Sequence, residues 1–238
     1  MNTRTRLLVL PLLLPMLAAA LPAFAQSSAE GEAWFSYRDT YRAMIRFEKY
    51  GQPKQLLEQR LQVVVQGRDV QLDGARLALG GKATHLELPL DGLGRTVFPL
   101  LKSAYDDNAE LRINRPAGTV TLVPRISIAP RADGIYDAAD LRTACGQVLD
   151  YLHSISDAGA NGKHCTGVAF SYLRNGAKSS VSFRLNAQSL SPVAASEGAA
   201  FPDSTGSYHV VIYRFADWPE KGQVVTEVMP LAIAAWYE

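Results

Sequence analysis

Val120-Thr121-Leu122-Val123-Pro124-Arg125-Ile126-Ser127-Ile128 alternates its character residue by residue. Val120, Leu122, Pro124, Ile126 and Ile128 share one face of an extended chain, the period of two that marks a strand burying one side. The same period runs back to Leu56. Leu57, Leu61, Val63 and Val65 alternate with Glu58, Arg60, Gln62 and Gln66. Leu86, Leu88 and Leu90 alternate with His85, Glu87 and Pro89, and Ala109, Leu111 and Ile113 with Glu110, Arg112 and Asn114. Asp73-Gly74, Gly80-Gly81, Asp91-Gly92 and Pro116-Ala117-Gly118 punctuate these runs with turn chemistry. Short alternating strands between turns predict antiparallel sheets, as in a sandwich or an open barrel-like arrangement.

Two amphipathic helices interrupt the β pattern, so the expected class is α+β and β-rich. Trp34–Tyr50 reads as the first: Ser36 and Asp39 form an S-x-x-D cap, and Tyr37, Tyr41, Met44 and Ile45 share a face. Gly51 and Pro53 end it. Leu100–Asn108 reads as a helical turn between strands. The second helix begins near Asp137, where Leu141, Ala144, Cys145, Val148, Leu149 and Leu152 form the strongest periodic stripe in the chain. Residues 164–174 and 177–185 flank Asn175-Gly176, a two-residue hairpin signal. Tyr208–Phe215, Gln223–Met229 and Leu231–Tyr237 read as three further strands. The small polar residues of Asn186–Gly206 predict a mobile loop, with Phe201 as its one aromatic anchor for a partner. Pro130–Gly134 reads as a hinge between residues 26–130, a helix plus β-rich lobe, and residues 131–238, a helix plus antiparallel sheet. The two lobes can equally be one continuous domain.

The first 25 residues predict an address. Arg4 and Arg6 precede an apolar run from Leu7 to Ala20, and Ala23-Phe24-Ala25 ends it with the small-residue pattern of a cut before Gln26. Pro11, Pro15 and Pro22 interrupt the run, which favours a cleaved export signal over a membrane anchor. The expected location is therefore the periplasm, or the medium. Removing these residues takes two of the 24 Lys and Arg and none of the 23 Asp and Glu, leaving a net charge of −1. That balance gives no electrostatic case for nucleic acid or an anionic membrane. Cys145 and Cys165 are the only two cysteines. In an exported chain such a pair reads as one disulfide, here pinning the second helix to the strand that follows it.

Chemistry-bearing motifs are sparse. His85 and Glu87 share a strand face, which two polar residues on an exposed sheet would also do. His164 adjoins Cys165, but a disulfide leaves it no thiol to activate. G-x-S-x-G and H-E-x-x-H are missing from the sequence, and Asp203-Ser204-Thr205-Gly206 has one residue too many for a D-[ST]-G turn. No catalytic residue, metal ligand or cofactor site is therefore assigned.

Phe35-Ser36-Tyr37, Leu88-Pro89-Leu90-Asp91 and Val97-Phe98-Pro99-Leu100 resemble segments of small uncharacterised envelope proteins of bacteria. The resemblance implies an envelope address and no activity. The expectation is a non-catalytic periplasmic protein that binds or supports an envelope protein or glycan. The alternatives are a small-ligand or glycan-binding module, drawing on 21 aromatic residues, and a hydrolase whose site is assembled only on folding.

Overall fold

A computed structural model describes residues 31–66, 72–174, 180–186, 188–190, 192–204 and 206–238. The expected export signal and the Asn175-Gly176 turn lie outside the described residues. In chain order the first half contains β1 (Glu32–Ser36), α1 (Tyr37–Glu48), β2 (Leu57–Val65), β3 (Leu77–Gly80), β4 (His85–Leu88), β5 (Arg95–Thr96), α2 (Lys102–Asp106), β6 (Glu110–Pro116) and β7 (Val120–Ile128). The second contains β8 (Ile135–Asp137), α3 (Ala138–Ser154), β9 (Cys165–Tyr172), β10 (Ser180–Leu185), β11 (Gln188–Ser189), β12 (Val193–Ala194), β13 (Ser196–Gly198), β14 (Tyr208–Arg214), β15 (Gln223–Thr226) and β16 (Ala232–Tyr237).

These strands form three antiparallel sheets with no closed barrel, an α+β, β-rich fold. A four-stranded sheet runs β1-β6-β3-β4, and a second runs β11-β10-β15-β8 with β12 also on β10. The largest runs β13-β14-β9-β16-β7-β2-β5 and takes strands from both halves of the chain.

Local chemistry explains most boundaries. Ser36 caps α1, its hydroxyl accepting from the Asp39 amide at 3.3 Å. The helix starts at Tyr37, not Trp34, because residues 32–36 pair with β6 first. Trp34 consequently leaves the expected aromatic stripe and points outward, 63% exposed, while Tyr37 is fully buried. Asp137 precedes α3, whose stripe of Leu141, Ala144, Cys145, Val148 and Leu149 is buried as its spacing requires. The last sheet strand before β16 stops at Thr226, short of Met229, which is exposed. Leu86 departs from its expected buried face too: β4 is an edge strand, and only Leu88 of its four residues is buried.

Two large apolar cores result, with a smaller third around Leu93, Phe201, Val210 and Ala234. One gathers α3, the inner face of the five-stranded sheet and Val168, Phe170, Val211, Tyr213 and Ile233 of the large sheet. The other gathers α1 and the four-stranded sheet around Tyr37, Leu77, Leu111 and Ile113. Long strands β2 and β7 belong to both: Leu57 and Ile128 sit in the first core, Leu61, Val63 and Val120 in the second. Cys145 of α3 is bonded to Cys165 at the start of β9, which staples the helix to the middle of the large sheet.

Candidate functional site

The large sheet is split in its middle. β7 pairs with β2 over nine residues, from Ile128 opposite Leu57 to Val120 opposite Val65. Its other edge meets β16 at one position, Ile128 opposite Ile233. Continued in register, that ladder would set Pro124 against Tyr237. Proline has no amide hydrogen to donate, so any ladder along this edge is one hydrogen bond short at Pro124. The parity of the β2 pairing shows which main-chain groups are involved. The Ala129 amide donates to the Leu56 carbonyl at 2.9 Å and the Gln66 amide to the Thr119 carbonyl at 2.7 Å. Thr121, Val123, Arg125 and Ser127 therefore aim their main-chain groups at β2, and Leu122, Pro124 and Ile126 aim theirs into the split.

A cavity of about 430 Å³ occupies this split. Val123, Pro124, Arg125 and Ile126 of β7 form one wall and Ala234, Ala235 and Tyr237 of β16 the other. Ala43 and Arg46 of α1, with Val148, Tyr151, Leu152 and Ile155 on and just after α3, close one side. Phe201, Pro202 and Asp203 close the opposite side. The site thus lies between the first core, which supplies Val148, Tyr151 and Ala235, and the smaller one, which supplies Phe201 and Ala234, a common place for a binding cleft.

Arg125 bridges the split on the Phe201 side. Its guanidinium pairs with Asp203 at 2.6 Å, donates through Nε to Gln62 Oε1 at 2.8 Å, and lies 4.6 Å from the centre of the Phe201 ring. Arg95 reaches the same ring at 6.0 Å. Arg95 in turn donates to Asp91 at 2.9 Å and to the Leu231 carbonyl, and lies 3.6 Å from Glu58. The Asp91 carboxylate also accepts the Leu93 and Arg95 amides at 2.9 Å, which shapes the turn before β5. Ser127, wholly buried, donates to Glu58 at 3.1 Å. This network ties β2, β5 and β7 together beside the segment that carries Phe201, the roof of the cleft. Burial pushes the Tyr237 phenol above its ordinary range, with the Asp203 and Asp157 charges adding to that and Arg125 opposing it.

The residues singled out in the sequence are dispersed. Cys145 and Cys165 are joined, and no thiol remains. Phe201 is not a presented anchor: it is 3% exposed, and its carbonyl accepts from the Ser204 amide at 3.0 Å. The expectation of a bare loop counted only the apolar bulk within Asn186–Gly206. It missed the seat supplied by Leu93, Ala200 and Ala234 and the cations that cover the ring. Short strands β11, β12 and β13 also lie inside that segment. His85 and Glu87 sit exposed on the four-stranded sheet, far in sequence and on a different sheet from the cleft. A His153 ring nitrogen lies 2.8 Å from the Ala160 carbonyl, the His164 main chain pairs with Glu238, and His209 stands in β14 opposite Tyr172.

Among the described residues, no group of three or more His, Cys, Asp or Glu is placed to hold a metal ion. No helix among them is long and apolar enough to cross a membrane. Pro124, Arg125, Asp203 and Tyr237 were not picked out from the sequence as site residues. The signal that could have found them is a proline inside an otherwise regular strand, which belongs at an unpaired edge. No protein-family model, curated protein or solved structure matches the chain.

Proposed function

We propose that this is an exported, non-catalytic protein of the bacterial periplasm that binds or supports an envelope component in the cleft between β7 and β16. The observation that carries the reading is the split itself: a pre-formed cavity, mostly apolar, with a few convergent polar groups, where two cores meet. The ordered basic, apolar and small-residue segments at the N-terminus support export, and the Cys145–Cys165 bond suits an oxidising compartment. The charged side chains at the cleft argue for holding a ligand over transforming one. Arg125 is committed to Asp203 and Gln62, and the Ser127 hydroxyl, though bonded to a carboxylate, is sealed from any substrate.

The test is in-cell photocrosslinking. A photoreactive residue at Ala43, half-buried on the cleft side of α1, should yield an adduct in the envelope fraction, and the same residue at exposed Glu48 should not. The mature chain from that fraction should begin at Gln26. A protein retained uncut in the cytoplasm, or adducts independent of position, would refute the reading. A small ligand or glycan is the second reading, favoured by a cavity volume inside the usual small-ligand range of about 300–1,000 Å³.

A further inference from the structure

Resting on the binding role just proposed, we infer that the occupant of the cleft is an extended polypeptide segment that adds to β7 as a strand and fills the break in the large sheet. Main-chain chemistry points to this class. Leu122, Pro124 and Ile126 turn three carbonyls but only two amide hydrogens into the split, because Pro124 has none. Rows of main-chain acceptors and donors at strand spacing are matched by another strand, as in recognition by β-addition. A compact small molecule cannot span them, since Leu122 to Ile126 covers about 13 Å at strand rise.

The ladder between β7 and β16 stops at its first rung, Ile128 opposite Ile233, and Pro124 leaves the edge that remains unpaired one donor short. Proline at an otherwise exposed edge limits indiscriminate pairing with other chains. The surplus of acceptors makes the edge selective for a partner's amide hydrogens.

The walls set the side chains such a segment carries. Successive residues of a strand point to opposite faces. Towards α1 and α3 they meet chiefly apolar side chains, Ala43, Val148, Leu152 and Ile155, with Arg46 and Asp157 beside them; on the other side they meet Arg125, already paired with Asp203. The bound segment therefore alternates apolar with polar residues. Two arginines and two aspartates line the cavity, so net charge contributes little and the main chain supplies most of the recognition.

Phage-displayed random nonapeptides selected on the oxidised, folded protein test this. Enriched peptides should alternate apolar and polar residues and should lose binding to Ala43→Trp, which fills the cleft from the helix surface. A second variant, Ile155→Trp, fills it from beyond the C-terminal end of α3, and circular dichroism checks that each is folded. One selected peptide is then made with N-methyl groups on its odd residues or on its even residues. The set that removes donors to the β7 carbonyls should weaken binding about tenfold or more, and the other set should weaken it less. Failure to enrich any peptide, or binding indifferent to N-methylation and to both tryptophans, overturns the inference. An envelope adduct at Ala43 that proves to be glycan would overturn it too, while leaving the binding role intact.

Discussion

Truncating Arg125 to alanine separates the parts of the bridge across the cleft. Three interactions are lost. Gln62 Oε1, on a buried residue, loses its 2.8 Å donor, which costs about 1–3 kcal/mol. The Phe201 ring loses a cation seated 4.6 Å from its centre, about 0.5–2 kcal/mol. The Asp203 pair adds only about 0.2–1 kcal/mol, since the Asp203 side chain is 67% exposed against 14% for Arg125. Arg125→Ala should therefore destabilise by about 3 kcal/mol and lower the melting temperature by about 6–12 °C for a chain of this size. Asp203→Ala should cost no more than about 1 kcal/mol. Arg125→Lys keeps the charge but not the fork that reaches Gln62 and Asp203 together, so it should fall between them. Urea unfolding of the purified oxidised protein, read by tryptophan fluorescence, gives all three values. Limited elastase digestion should cut at residues 199–204 in Arg125→Ala and spare them in the parent chain. Equal costs for Arg125→Ala and Asp203→Ala would mean that the exposed ion pair, and not the seat of Phe201, holds the roof, and would refute the reasoning.

Reducing the Cys145–Cys165 bond, or replacing Cys145 with alanine, should cost about 3 kcal/mol, because the bond closes a loop between residues 20 apart. Melting that is the same with and without reductant would contradict this. Tyr37→Phe removes a hydroxyl that donates to the Pro99 carbonyl at 2.6 Å and accepts the Leu101 amide at 2.8 Å, so denaturant titration should show a loss of about 1–3 kcal/mol. Burial raises the phenols of Tyr37, Tyr136, Tyr172 and Tyr213 above the ordinary value of 10.0. The unfolded chain releases these protons first, so stability is fully present below pH 10 and falls as pH rises through the higher folded-state values. The absorbance step of these four phenols should then come together with unfolding; their ionisation in the still-folded protein near pH 10 would contradict it.

What was legible in the sequence was whatever depends on neighbours along the chain. Period-two alternation located β2, β6 and β7, the apolar stripe located α3, and Ser36 and Asp137 marked two helix starts. The two cysteines, on a buried helix face and at a strand start, are bonded as an isolated pair in an exported chain suggested. β3 and β5 escaped because strands of four and two residues carry too few side chains to show a period. Trp34 was misplaced because strand pairing with β6 outweighed its helical spacing. The cleft was hidden for a stronger reason. It depends on β7 parting from β16, a strand more than a hundred residues later, after Ile128 and Ile233, and on Arg125 reaching Asp203 and Phe201. Each looked ordinary where it stood: an arginine on a polar face, a lone aromatic in a loop. Only tertiary structure decides which strand edge is left without a neighbour, because a main-chain hydrogen bond is decided by the chain that comes alongside and not by the residue that offers it.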